Sequence, residues 1–344
     1  MNSVEYNISW FAPEGTKLRI EIDRLHALRK QINQAAGDSY EYQSIFQQQR
    51  NKARGYETIY ALPDSAKMPP VARLELLEFC SFPPYFQQFV VRSCLAVSAQ
   101  LDAVFLLLER GLALPAFLCL RSVIEHVALA EKTLRHDSLR VPINQDFESL
   151  YGFLVEARAF LSNSAYSTRI GITSFVLDPE PLRERKELKY VAQKGRVDLT
   201  AKSIMSHIDK LGKRVKGLRN IYDVLSEFAH PNFGAQIALT EEMSNELIVD
   251  PSGVWWKTSK IGSGKPVSFA RTFERQLAEI LGCVSECVEE MTTVIKECTI
   301  TRENLFAATQ VVARRQILDH RQIYMPYEQC PCRSGKKLKF CCGK

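Results

Sequence analysis

The sequence predicts a mainly α-helical protein: a helical bundle with a small β-hairpin insertion and a cysteine-rich knuckle at its C-terminus. Three observations carry this. Long apolar stretches repeat at helical spacing. A single pair of short alternating runs, Glu246–Asp250 and Val254–Thr258, flanks Pro251-Ser-Gly253 and reads as a hairpin. Four cysteines, Cys330, Cys332, Cys341 and Cys342, fall within the last fifteen residues of a chain of 344. The domains expected are an N-terminal helical region over 1–70, an α-helical bundle over 71–322 and a knuckle over 326–344.

The elements follow from apolar period and from punctuation by Gly and Pro. Lys17 to Ala36 carries Leu18, Ile22 and Leu25 on one stripe, and Gly37-Asp-Ser39 stops it. Pro63, Pro69 and Pro70 mark a connection, and Ala72–Cys80 reads as a short helix broken by Phe82-Pro-Pro84. A long apolar helix over Tyr85–Arg110 ends at Gly111. Pro115 sits in the first turn of the next helix, Ala116–Leu134, and so short a link predicts a helical hairpin. Further helices are expected over 144–161, over 199–229 with a Gly212/Gly217 interruption, over Phe269–Cys298 and over Arg302–His320.

Composition bounds the class. Hydrophobic residues make up 46% and charged residues 24% of the chain, values of a water-soluble globular protein. Met1-Asn-Ser-Val-Glu-Tyr6 has neither a basic n-region nor an apolar h-region. The most apolar stretch, 94–130, is interrupted by Asp102, Glu109, Arg110, Arg121 and Glu125, so a buried core is expected and not a membrane span. Six of the ten cysteines are scattered through apolar helical sequence, as small core residues are. A reducing cytoplasm is therefore the expected location. The net charge of +6 is concentrated: residues 183–219 hold twelve Lys/Arg against four Asp/Glu. Such a stretch is either the footprint of an RNA or ribosome contact or a solvated helix face.

The terminal cysteines have the number, softness and spacing of a tetrahedral Zn²⁺ set, Cys-x-Cys, eight residues, Cys-Cys. So short a segment buries too little apolar surface to order itself, so the metal would order it. No position remains for water, which marks the zinc as structural. Four thiolates on Zn²⁺ sum to a charge near −2, which Arg333, Lys336, Lys337, Lys339 and Lys344 would offset. A pair of disulfides or free surface thiols is the alternative. The string Cys330-Pro-Cys-Arg-Ser-Gly-Lys-Lys-Leu-Lys-Phe-Cys-Cys-Gly343 closely resembles the SEC-C motif, the zinc-binding tail of the SecA translocase that also ends many unrelated bacterial proteins. Arg333 replaces the usual Gly. The resemblance implies zinc on Cys330, Cys332, Cys341 and Cys342 and a contact with ribosome, chaperone or another protein partner, and no reaction.

In the bundle, Arg121 and Glu125 share a face with Leu118 and Ala128 on the most apolar helix, where a charge is costly unless paired. Ser226 and His230 share a face at the end of another helix, before Pro231 and Asn232. Packed together, Arg121, Glu125, His230 and Asn232 would suffice for metal-independent phosphodiester cleavage, with His230 as general acid or base and Arg121 on the developing charge. A buried ion pair fixing helix register, with a histidine capping its own helix, explains the same residues. Arg121-Ser-Val-Ile-Glu-His126 also resembles the Arg-x4–6-His pattern of HEPN-type ribonucleases of bacterial toxin and phage-defence systems, and the wider 85–235 region resembles abortive-infection-type helical proteins. This implies a ribonuclease of the HEPN type, with His126 as the alternate to His230. His126 stands about 140° around the helix from Arg121, which favours His230. The two function classes are thus a toxin-type or phage-defence effector and a non-enzymatic adaptor. Apolar helical faces are also compatible with a homodimer. Gly262-Ser-Gly-Lys265 lacks the first half of a phosphate loop. Trp255-Trp256 reads as a hairpin pair with one ring on each face. His26, His136, His207 and His320 have no ligand-spaced partners.

Overall fold

The computed structural model describes residues 12–37, 49–50, 57–58, 70–165, 204–229, 240–249, 251–263, 274–319, 325–330 and 334–344. The fold is mainly helical. In chain order the elements are α1 (Lys17–Ala36), β1 (Gln49–Arg50), β2 (Glu57–Thr58), α2 (Pro70–Glu109), α3 (Ala113–Leu134), α4 (Phe147–Ala165), α5 (Ile204–Leu211), α6 (Leu218–Ala229), β3 (Thr240–Val249), β4 (Trp255–Ser263) and α7 (Glu274–Asp319). Short 3₁₀ turns lie at Asp137–Leu139 and Leu338–Phe340.

The ends of α1 are set locally. Thr16 accepts a hydrogen bond from the Arg19 amide at 3.2 Å, a side-chain N-cap. Gly37, at φ 75°, closes the C-terminus and returns its N–H to Asn33. Two expected breaks are absent. Pro83 and Pro84 lie inside α2, which runs unbroken from 70 to 109. Each proline removes a helical donor, but Phe82 and Phe86 beside them are almost wholly buried. Packing overrides the local breaker at this turn. Helix α7 likewise runs through Cys298–Arg302. That junction holds Thr299, Ile300 and Thr301, β-branched residues that weaken a helix by only tenths of a kcal/mol and do not stop it. The Thr301 hydroxyl donates back to the Glu297 carbonyl at 3.3 Å.

The chain divides into two compact units. The first comprises 1–38, 92–132 and 203–294. Within it Arg29, 7% exposed, makes a two-pronged ion pair with Asp102 of α2 at 2.7 and 2.8 Å. His26 meets Phe105 edge-on. Arg24 pairs with Glu289 of α7 at 2.8 Å. Phe117 of α3 packs on Phe228 of α6, with ring centroids 5.1 Å apart. The α5–α6 turn places Arg214 between Glu131 of α3 and Glu290 of α7. Strands β3 and β4 pair antiparallel from Thr240↔Ser263 to Val249↔Trp255, with a register irregularity between Glu242 and Ser244. Gly253, at φ 82°, occupies their turn. Gly262 therefore lies within a strand.

The second unit comprises 39–91, 133–202 and 295–344. Within it His136 stacks on Phe160 at 4.0 Å and accepts the Ser138 amide through Nδ1. Arg135 pairs with Glu297 of α7 at 2.9 Å. Cys80, Ala313 and Ile317 form a buried cluster with residues of the C-terminal tail. By length and composition, Phe82–Glu109 and Ala113–Leu134 are long and apolar enough to cross a membrane, a signature that core helices of folded domains share.

Candidate metal centre

The tail is built from backbone hydrogen bonds around a tight turn. The Cys330 amide donates to the Lys336 carbonyl at 2.8 Å and the Leu338 amide to Glu328 at 2.9 Å, while Gln329 and Lys337 form an antiparallel bridge. Gly335, at φ 75°, supplies the left-handed residue such a turn needs. The chain then enters the Leu338–Phe340 turn. The Leu338 carbonyl accepts from the amides of Cys341 and Gly343 at 3.0 and 2.9 Å. A Cβ on Gly343 would stand 2.8 Å from that same oxygen, so only glycine fits there.

This path gathers thiols that are far apart along an extended chain. The sulfurs of Cys330, Cys341 and Cys342 all lie within 4.8 Å of one another. Cys341 Sγ is 3.9 Å from Cys342 Sγ. A tetrahedral metal with bonds of about 2.3 Å to sulfur has its ligands about 3.8 Å apart. A disulfide would need about 2.05 Å, and the described cysteines are all unbridged. The three thiols thus form a group that could hold a metal ion such as zinc. Cys332, the fourth expected ligand, and Arg333 lie outside the described residues. Cys330 and Cys342 are buried and Cys341 is half-buried. Ser334 Oγ approaches Cys341 Sγ to 3.0 Å, within reach of a hydroxyl-to-thiolate hydrogen bond. Its place two residues after Cys332 is the one local signal of this role in the sequence. Lys336, Lys337, Lys339 and Lys344 are exposed in the same segment.

The other candidate residues sit in the first unit. Arg121 and Glu125 pair along α3 at 3.1 Å, with side chains 29% and 33% exposed. The pair is half-exposed and not buried as expected. What joins it to α6 is Tyr222, itself 2% exposed. Its hydroxyl donates to Glu125 Oε1 at 2.7 Å and accepts from Arg121 Nε and Nη2 at 3.3 and 3.2 Å. Burial works against the Arg121 charge, but Tyr222 and Glu125 outweigh it and raise the proton affinity of the guanidinium. Burial, followed by the hydrogen bond to Glu125, pushes the Tyr222 hydroxyl up. Burial holds His126 below its ordinary value. The Ser226 hydroxyl donates to the carbonyl of Tyr222 at 2.8 Å, inside its own helix. His230, Pro231 and Asn232 lie outside the described residues, as do positions 183–203 of the basic stretch. Of the stretch's described arginines, Arg214 holds Glu131 and Glu290, and Arg219 pairs with Asp209 and Asp223.

Among the described residues of this unit, the buried carboxylate is one that no sequence pattern marks. Glu131, on α3, is 2% exposed. It lies ten residues beyond Arg121, and its partner Arg214 comes from a loop far along the chain. No spacing rule links such a pair. No protein-family model matches the chain, and neither does any curated protein or solved structure.

Proposed function

We propose that the protein is a cytoplasmic adaptor: a helical bundle whose SEC-C-like knuckle holds one structural zinc ion on Cys330, Cys332, Cys341 and Cys342 and presents a basic, aromatic surface to RNA or the ribosome. The observation that carries this reading is the convergence of three thiol sulfurs within 4.8 Å in a lysine-rich tail. The surface around them supports the choice of partner. Tyr327 and Phe340 are 62% and 53% exposed. Lys339 Nζ stands 4.8 Å from the Tyr327 ring and 5.2 Å from that of Phe340, and donates to the Tyr327 hydroxyl at 3.1 Å. Exposed rings interleaved with ammonium groups suit stacked bases and their phosphates.

The test joins metal content to RNA binding. Purified protein should carry about one zinc per chain, and Cys341→Ser should lose it. Binding of a short single-stranded RNA should weaken steeply between low and moderate salt, and Tyr327→Ala with Phe340→Ala should weaken it further. Absence of zinc removes the knuckle. Zinc without salt-sensitive RNA binding removes the RNA partner and leaves a protein one.

A second reading keeps the toxin-type or phage-defence ribonuclease, and the Arg121–Tyr222–Glu125 chain is what favours it. It joins the two helices that would bear the reaction, and α6 leads directly to His230. Here Arg121 would stabilise charge, Glu125 would orient it, and His230 (alternate His126) would move the proton, with Asn232 nearby. Against it, Arg121 already spends Nε and Nη2 on Tyr222. Cleavage of RNA by the wild type that Arg121→Ala and His230→Ala both abolish would establish this reading over the adaptor. Equal cleavage in all three, or none in the wild type, removes it.

A further inference from the structure

The thiol group is walled on one side by helices of its own unit. Cys330, Leu338 and Cys342 form one buried cluster with Cys80 of α2 and with Ala313 and Ile317 of α7, and none of the six is more than 6% exposed. Ala313 and Ile317 lie four residues apart, on the same helical stripe as Leu305, Ala308, Thr309 and Val312. The stripe thus runs into the tail, and the tail closes its end. Cys80 has no ligand-like spacing to the terminal cysteines, yet it is brought into their cluster.

The lobe that provides this closure cannot hold its own shape. It spans 325–344, and Leu338 is its only buried aliphatic side chain among the described residues. Beyond it, the three sulfurs that lie within 4.8 Å of one another are the lobe's remaining means of holding its turns together, and they do so by sharing a cation. Metal therefore shapes the lobe, and the shaped lobe covers Cys80, Ala313 and Ile317. We infer that metal capture and the sealing of this apolar seam are one event, so that metal loss uncovers Cys80 and the last turns of α7. The inference rests on the reading that the thiols bind zinc. Coupling of this kind is reciprocal: weakening the seam must weaken the hold on the metal by the same factor.

The experiment uses the full chain, zinc-loaded or treated with a chelator, pulsed with an alkylating reagent and read cysteine by cysteine by mass spectrometry. Cys94 and Cys287, both fully buried in the other unit, are internal references. Cys80 should label at least about tenfold faster after chelation while the two references stay protected. In parallel, Ile317→Ala, which alters no ligand, should lower zinc affinity, read by competition with a chromophoric chelator, by about tenfold. Equal labelling of Cys80 with and without zinc overturns the inference and leaves zinc binding intact. So does faster labelling of all three cysteines together, which would mean that the whole chain melts. A protein without zinc at purification fails the earlier reading instead. Should Ile317→Ala not fold, the labelling of the wild type decides alone.

Discussion

Cys341 Sγ and Cys342 Sγ lie 3.9 Å apart, although the two residues are adjacent in the chain. Neighbouring residues in an extended strand point their side chains to opposite faces. Here Cys341 ends a 3₁₀ turn with φ −129° and ψ −115°, which brings both sulfurs to one side. Their separation matches the edge of a sulfur tetrahedron around a metal, about 3.8 Å. It is nearly twice a disulfide bond length. The backbone thus sets these thiols at a spacing that could share one ion.

Ser334 stands 3.0 Å from Cys341 Sγ. A hydroxyl donating to a ligand sulfur orients it and spreads its charge. Ser334→Ala should lower zinc affinity between about tenfold and a hundredfold, the usual effect of losing such a supporting bond. Competition with a chelator of known affinity reads this directly. An unchanged affinity would reduce Ser334 to a turn residue.

Gly343→Ala should damage the metal lobe more than Gly335→Ala. At Gly343 a methyl would stand 2.8 Å from the Leu338 carbonyl oxygen, which already accepts two amides. The backbone must move, and both hydrogen bonds weaken. At Gly335 a methyl meets nothing within 4 Å. Only the left-handed backbone at φ 75° is penalised, by about 1 kcal/mol. Zinc release rates of the two variants should rank in that order.

Arg214→Ala should destabilise the first unit strongly. It removes the guanidinium from Glu131, a carboxylate only 2% exposed. The expected loss is about 3 kcal/mol, the lower end for breaking a buried pair because Arg214 itself is partly exposed. Adding Glu131→Gln should recover much of that loss, since the buried charge is then gone. Urea unfolding of the two single variants and the double variant gives the coupling energy.

Acid should destabilise the fold before carboxylates protonate. Burial holds His126 below its ordinary value of 6.5, against the opposing pull of Glu125. Burial also lowers His26, assisted by Lys30 and Arg29 and opposed by Asp102 and Asp23. A base whose folded pKa is depressed contributes stability that is complete above the unfolded value. That stability is lost as pH falls from 6.5 through the lowered folded values. Urea midpoints measured at neutral and mildly acidic pH should therefore diverge, and replacing both histidines by Asn should narrow the gap.

Much of the helical architecture was legible because its signals are local. The stripe of Leu18, Ile22 and Leu25, with Gly37 as its stop, delimits α1 at the residues the structure shows, and the structure adds Thr16 as its N-cap. The interruption between α5 and α6 coincides with Gly212 and Gly217. The local rules overreached at Pro83-Pro84 and at Thr299–Thr301, where they predicted breaks. A proline or a β-branched run weakens a helix by a bounded amount, and at Pro83-Pro84 the burial of side chains such as Phe82 and Phe86 offsets it. In the bundle, the spacing of Arg121 and Glu125 identified a real ion pair but gave no sign of Tyr222, which completes it from 97 residues beyond Glu125.

Covalent spacing alone was enough to put the terminal thiols in one short span and to set the periods that become helices. Such information reaches only a few residues along the chain. Folding in three dimensions chose which carboxylate is buried, Glu131 over Glu125, and set Cys80, Ala313 and Ile317 beneath the cysteines. Burial is a sum over neighbours remote in sequence. For that reason the cysteine cluster could be found by reading, and what it rests against could not.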